Sequence, residues 1–194
     1  DNDGDLDAWA STFDGNPSQI WINNGSAMFE PGQQLDDFST SREVALGDLD
    51  NDGFVDAIVG DQFASQVLLN LGDPFCLLEE ICDNGIDDDS DGLIDCDDSE
   101  CAPGEFVDSG QALGNTTSTN SAVGDVDSDG DLDVWSTSAD GTPGNRLWIN
   151  DGEGNFTDSG QSFGSELYYN TAFGDLDGDG DLDAFSTGRP QYSS

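Results

Sequence analysis

The sequence predicts an all-β protein: a β-propeller-like array of four-stranded blades of about 50 residues, two complete and two partial, with one small cross-linked insertion. Three observations carry this. One motif is written three times, as GDLDNDGFVDAIVG (47–60), GDVDSDGDLDVWST (124–137) and GDLDGDGDLDAFST (174–187), and DNDGDLDAWAST (1–12) is a fourth copy without its beginning. The glycine inside each copy, at Gly4, Gly53, Gly130 and Gly180, recurs at spacings of 49, 77 and 50 residues. Between these markers the apolar segments are short, rich in Val, Ile, Leu, Thr and aromatics, and bounded by Gly, Asn and Asp, which favours strand over helix.

Repeat 1 spans 1–40 and is partial. Repeat 2 spans 41–73 and 104–114, its halves separated by the insertion 74–103. Repeat 3 spans 115–165, with strands expected near 118–124, 132–138, 145–150 and 155–161. Repeat 4, 166–194, retains its first hairpin. The long spacing comes from the insertion, because the other landmarks stay in register. Phe29, Phe106 and Phe156 each stand 24 residues before the next marker glycine; IWINNG (20–25), VLLNLG (67–72) and LWINDG (147–152) align, as do FEPGQQL (29–35), FVDSGQAL (106–113) and FTDSGQSF (156–163). Trp9, Ile58, Trp135 and Phe185 share one position, and Trp21, Leu68 and Trp148 another. Large apolar residues at repeating positions are expected to pack between neighbouring blades, with a sugar- or partner-binding platform as the other use. Helical periodicity is suggested only at Phe75–Cys82.

Charge sets the next constraint. The 194 residues carry 43 Asp plus Glu against three cations, Arg42, Arg146 and Arg189, for a net charge of −40. Leu, Ile, Val and Phe make up about 22% of the chain, just above the composition at which a highly charged chain stays disordered, so counter-ions are expected to be part of folding. So few cations cannot neutralise phosphates, which excludes nucleic acid as a partner. The absence of His removes His-based triads, His-ligated zinc and a histidine pH switch. No apolar run reaches the roughly 18 residues of a helical membrane span, so no membrane insertion is expected.

The aspartates follow the pattern D-x-D-x-D-G-x-x-D. The second copy supplies Asp48, Asp50, Asp52 and Asp56; the third Asp125, Asp127, Asp129 and Asp133; the fourth Asp175, Asp177, Asp179 and Asp183; the truncated first Asp1, Asp3 and Asp7. Alternate residues of a tight loop can point carboxylates at one centre. The glycine permits the turn that brings round the ninth-position carboxylate and the seventh-position carbonyl, here of Asp5, Phe54, Asp131 and Asp181. Hard oxygen donors in this number suit Ca²⁺ better than Mg²⁺, which keeps several waters in a strict octahedron. Four carboxylates held 4–5 Å apart repel by on the order of 20 kcal/mol in total at an effective dielectric of about 20, more than a typical domain's stability. Such a loop must hold a cation or fall open.

GDLDNDGFVD, GDVDSDGDLD and GDLDGDGDLD resemble the calcium loops of the FG-GAP/VCBS repeat family, which includes the integrin α-subunit propeller. The resemblance covers nearly all of the chain outside the insertion. It implies a β-propeller with calcium loops between the first and second strands of a blade. Ala172-Phe173-Gly174 keeps the "FG", but no Gly-Ala-Pro follows. That departure stands nearer the bacterial-type VCBS repeats, and the integrins' partner-binding activity is not carried over.

The insertion holds Cys76, Cys82, Cys96 and Cys101, and between the inner pair runs another loop, with Asp87, Asp89, Asp91 and Asp95 as side-chain ligands and Leu93 as carbonyl. It resembles the Cys-bracketed, Asp-rich inserts of secreted bacterial repeat proteins and brings the expected calcium sites to about five, the first incomplete. Four cysteines in a core-poor module read as two disulfides in an oxidising, extracellular or cell-surface compartment, with a thiolate metal site as the alternative. Three connectivities are open; proximity favours Cys82–Cys96 nested inside Cys76–Cys101. Sequons stand at Asn24, Asn115 and Asn155, so attached glycans are one expectation.

The functional expectation is a non-enzymatic, calcium-stabilised extracellular structural or interaction module, such as a segment of a surface fibre or adhesin. The alternative is a propeller-type domain that binds carbohydrate or protein through loops opposite the calcium face, near Arg146 and exposed aromatics. No catalytic residue is assigned, because every Asp cluster belongs to a metal loop and Glu79, Glu80, Glu100 and Glu105 form no pattern; a polysaccharide-degrading enzyme is the least favoured class. A closed ring of about six to eight blades takes roughly 300–400 residues. This chain is shorter than that, so it is expected to be a fragment of a longer propeller, or to meet copies of itself through unpaired blade edges, as a filament does.

Overall fold

A computed structural model describes residues 6–12, 15–23, 25–35, 40–71, 105–115, 117–138, 144–161, 163 and 167–189. The cysteine-bearing insertion, the expected helical turn within it, Asp1, Asp3 and Asp5 of the first loop, and the sequon residue Asn24 lie outside these residues. Thirteen strands are formed among them and no helix. They are β1 (Ala8–Ala10), β2 (Ser18–Asn23), β3 (Phe29–Leu35), β4 (Glu43–Gly47), β5 (Asp56–Gly60), β6 (Ser65–Asn70), β7 (Phe106–Leu113), β8 (Ser118–Gly124), β9 (Asp133–Ser138), β10 (Arg146–Asn150), β11 (Phe156–Asp158), β12 (Leu167–Gly174) and β13 (Asp183–Arg189).

The strands make four antiparallel sheets, β1-β2-β3, β4-β5-β6-β7, β8-β9-β10-β11 and β12-β13, the blades of a β-propeller-like repeat array. Irregularities repeat with the sheets. The β2–β3 pairing shifts register between Gln19 and Trp21, and the β6–β7 pairing shifts between Gln66 and Leu68, at the same place in the repeat. β8–β9 and β12–β13 shift after Ser118 and Tyr168, again at equivalent positions. In the third repeat the fourth strand is shorter than the 155–161 expected. It ends at Asp158, whose carboxylate takes the Gly160 N–H at 2.8 Å, and Gly160 turns left-handed at φ 72°. The same turn at Asp108 and Gly110 lies inside β7, which runs on to Leu113, so the turn does not by itself end the strand.

A strand's side chains point alternately to its two faces, and β5 serves two cores in this way. Ala57 and Val59 join Ile20, Leu35 and Leu68 between the first and second sheets, with Trp9 and Phe106 against them. Ile58 faces the other way, into a core of Leu49, Val67, Leu113 and Val134 between the second and third sheets, with Trp148 and Phe156 alongside. Trp135 carries the contact onward, its ring 4.1 Å from Phe163 and edge-on to Phe173 at 6.3 Å. The expected inter-blade role of these positions holds for Trp9, Ile58, Trp135, Leu68 and Trp148. Trp21 and Phe185, at 38% and 59% exposed, depart from it, because no sheet among the described residues covers their outward faces.

Close approach between sheets depends on glycine at two places. A Cβ on Gly47 would lie 2.6 Å from Leu132 Cδ1, and one on Gly124 would lie 2.9 Å from Leu182 Cδ1 and 3.0 Å from the Phe173 ring. Leu132 and Leu182 are the eighth residues of their aspartate loops. Each loop therefore seats a leucine against the bare backbone of the preceding blade.

Candidate metal centre

Each aspartate loop is a hairpin connection closed by the same pair. Gly47 pairs with Asp56, Gly124 with Asp133 and Gly174 with Asp183, which leaves 48–55, 125–132 and 175–182 as the loops. Gly53, Gly130 and Gly180 have φ of 93°, 102° and 99°, as the spacing required. The fourth position is left-handed as well: Asn51 at 60°, Ser128 at 63° and Gly178 at 82°. Asn and Gly tolerate that conformation best, and this is the local reason for those residue types.

The first-position carboxylates order the loop backbone. Asp48 accepts the Gly53 N–H at 3.1 Å, Asp125 the Gly130 and Asp129 N–H groups, and Asp175 those of Gly180 and Gly178. The fifth-position carboxylates accept from the seventh-position backbone: Asp52 from Phe54, Asp129 from Asp131 and Asp179 from Asp181. The ninth-position group is anchored in the sheet. Asp56 is fully buried and accepts from Leu49 N and Asn70 N, both at 2.7 Å. Asp133 repeats this with Val126 N and Asn150 N, Asp183 takes Leu176 N, and Asp7 takes Asn23 N at 2.8 Å.

Asn23, Asn70 and Asn150 are thus site-building residues that sequence reasoning aligned without assigning a role. Each ends the third strand of its repeat, and their side-chain amides donate to Leu6 O, Val55 O and both Leu49 O and Leu132 O respectively. The signal was the shared Asn in IWIN, VLLN and LWIN.

The loops bring together Asp48, Asp50 and Asp56; Asp125, Asp127 and Asp133; and Asp175, Asp177 and Asp183, one oxygen from each lying within 4.8 Å of the other two in its trio. Asp52, Asp129 and Asp179 stand outside these trios. For the first loop, only Asp7 of the expected ligands is described.

A family model for the FG-GAP-like repeat matches residues 1–59 and 125–186, more than half of the chain and all four repeated aspartate loops. The chain belongs to the FG-GAP-like repeat family. No curated protein matches it. The Phe-Gly that leads into an aspartate loop of this FG-GAP-like chain is Phe173-Gly174, and Phe173 packs edge-on against Trp135.

The donor set of these FG-GAP-like loops fits a cation. Asp48 Oδ1 is buried without a hydrogen-bond partner while its other oxygen is held by Gly53. A buried carboxylate oxygen in that state lacks its compensating charge or donor. At 4.8 Å or less, the charges of Asp48, Asp50 and Asp56 repel by at least about 3.5 kcal/mol per pair at an effective dielectric of about 20, before screening by solvent.

The carboxyl pKa values register the same conflict. Burial pushes Asp56 up to about 6, with Asp50 and Asp52 adding to the rise against the two backbone N–H bonds. Asp133 is raised by burial and by Asp127 and Asp129, again against backbone donors. Asp52 is raised by burial, then by Asp50 and Asp48, and Asp127 by desolvation, then by its neighbours Asp129 and Asp125. A divalent ion held among these oxygens would supply the charge that favours their ionised forms.

Proposed function

We propose that this chain is a non-enzymatic, calcium-stabilised extracellular module whose role is structural or interactive, within a surface protein, adhesin or fibre. The observation that carries the cation is the buried, partnerless Oδ1 of Asp48, inside a trio of carboxylates that recurs in three sheets. Calcium is the preferred ion because the donors are all oxygen and the loop adds backbone carbonyls at Phe54, Asp131 and Asp181. With the ion bound, opposite charge offsets the repulsion that otherwise opens the loop, so cation binding is folding free energy.

In this reading Asp1, Asp3, Asp5 and Asp7 form part of a further site, and Asp87, Asp89, Asp91, Leu93 and Asp95 another within the insertion, braced by two disulfides. Asn115 and Asn155 are exposed, as attachment of a glycan requires. The outward faces bearing Trp21 and Phe185 are surfaces for neighbouring blades of a longer chain or for copies of this one. An extracellular setting supplies both millimolar calcium and the oxidation that the cysteines require.

The test is a calcium titration by calorimetry, followed by thermal melts in calcium, in magnesium and in chelator. Saturable binding of several calcium ions and a melt lowered by chelator are expected. An unchanged melt in chelator would overturn the assignment.

A further inference from the structure

Three kinds of contact join neighbouring sheets, and each occurs twice. A glutamine of the fourth strand holds the start of the next sheet's fourth strand. Gln33 Nε2 donates to Phe106 O at 3.0 Å, and Gln33 Oε1 accepts the Phe106 N–H at 2.9 Å. Gln111 repeats this, accepting the Phe156 N–H at 3.0 Å and donating to Gly154 O at 2.7 Å. Between first strands, Glu43 accepts the Ser121 N–H, and Asn120, at the same place in its repeat, accepts the Thr171 N–H at 2.7 Å. The glycine ahead of each loop seats the eighth residue of the next loop, Gly47 taking Leu132 and Gly124 taking Leu182.

Each contact has an unfilled half on either side of the array. On one side, Gln161 stands where Gln33 and Gln111 do, Asn170 where Glu43 and Asn120 do, and Gly174 where Gly47 and Gly124 do. Gln161 and Asn170 are exposed, and a Cβ on Gly174 would meet nothing nearer than Leu176 Cδ2 at 4.0 Å. On the other side, Phe29, Val44 and Val55 hold the receiving positions, and among the described residues none of them meets such a contact. Phe29 and Val55 are 48% and 50% exposed.

The strands are complementary in the same way. Among the described residues, the sheet β1-β2-β3 has no strand at the place that β4, β8 and β12 hold in theirs, and β12-β13 has none at the third and fourth places. One docking operation fills every gap at once, because it repeats a blade-to-blade geometry that the chain already forms twice. We propose that a second copy of this chain seats its first sheet beside β13, so that β12 and β13 with the partner's β2 and β3 make one composite blade.

In that blade β13 replaces the partner's β1 against β2, seven residues for three. Phe185 takes the place that Trp9 holds against Phe106. Gln161 holds the backbone of the partner's Phe29, Asn170 accepts the N–H of the partner's Val44, and Gly174 seats the partner's Val55. Exchange of equivalent elements between copies is a low-cost route to assembly. Each chain brings the second and third blades whole and halves of two composite ones, so two chains close a ring of six blades. That lies within the roughly four to eight blades of closed propellers, and a third chain would exceed it. The proposal rests on the reading of the chain as an interaction module and does not depend on the cation assignment.

Light scattering on the whole chain after size exclusion, in millimolar calcium chloride and physiological salt, tests it. A particle of twice the 20.5 kDa chain mass is expected. Gly174→Leu fills one face of the seam at a position open within its own chain, and Phe29→Asp places a charge on the other face. Each variant alone should run as one chain. Mixed in equal amounts they should recover a two-chain particle through the one seam left intact, dissociating at about tenfold or more lower dilution than the parent. That recovery excludes a folding defect in either variant.

A parent of one-chain mass overturns the proposal. So does a mass that grows beyond two chains with concentration, a two-chain mass in either variant alone, or a mixture that stays apart. A single chain whose melt falls in chelator overturns this inference and leaves the cation reading standing. A two-chain particle that melts identically in chelator does the reverse.

Discussion

The side-chain amide of Asn51 donates to Asp131 Oδ1 at 2.8 Å, joining the aspartate loop of the second sheet to that of the third. The same nitrogen reaches Gly152 O at 3.2 Å, and Asn150 returns the link by donating to Leu49 O, also at 2.8 Å. Two candidate cation loops therefore share hydrogen bonds, and ordering one restrains the other. Asn51→Gly, which keeps the left-handed backbone accessible as Gly178 does at the same place in the last loop, is expected to weaken positive coupling between calcium ions at these loops, read as a lower Hill coefficient in a chelator-competition titration. Loss of the bond should also lower the melting temperature by about 2–4 °C. An unchanged Hill coefficient would show that the loops fill independently.

The carboxylates of one loop should not be equivalent. Asp48→Asn removes a member of the trio that already holds the Gly53 N–H, and calorimetry should lose one calcium per chain. The melting temperature in calcium should fall by about 5–10 °C, on the scale of linked binding at high saturation. Asp52→Asn alters a residue outside the trio and should keep the stoichiometry while weakening affinity. Equal losses from the two variants would place Asp52 among the principal ligands.

Away from the loops, Glu43 reaches from β4 to β8. It accepts from Ser121 Oγ at 2.7 Å, Ser118 Oγ at 3.2 Å and Ser121 N. Burial raises its pKa above the ordinary 4.5, against those hydrogen bonds. A carboxyl whose folded pKa is raised binds its proton more tightly in the native state. It therefore costs stability at neutral pH, and that cost disappears as pH falls through the folded value to below the unfolded one. Glu43→Gln should melt higher than the parent at pH 7, by a few degrees. The difference should shrink to nothing below about pH 4.5 in melts at matched calcium. A difference constant with pH would assign the effect to packing.

Glycine ahead of each loop offers a comparison within one molecule. Gly47→Ala drives a methyl into Leu132 and should destabilise by about 1–3 kcal/mol in urea unfolding. Gly174→Ala meets nothing nearer than Leu176 Cδ2 at 4.0 Å and should be close to neutral. Similar costs at both positions would mean that backbone conformation, not the seat for leucine, requires the glycine.

Much of this was legible because the motif is local and repeated. The loop glycines at 53, 130 and 180 and the strands around them follow from spacing within nine residues; the same spacing put the fifth-position carboxylates with the first, third and ninth, whereas the close trios hold only the latter three. The roles of Asn70 and Asn150 were not legible in the same way. Each lies more than ten residues beyond the aspartate it holds, and only strand pairing brings its N–H to Asp56 or Asp133. Trp21 and Phe185 share sequence positions with buried residues, yet their exposure depends on which sheet lies next to them.

The sequence by itself determined the all-β repeat, the turn chemistry of the loops and the clustering of their carboxylates, since these depend on residue type and short-range geometry. Only the tertiary structure decided that Ile58 and Val59 serve different cores, that Asn51 ties two loops together, and that Gln33 and Gln111 each hold the fourth strand of the next sheet. Those contacts join residues from separate strands, and only the packing of sheet on sheet brings them together.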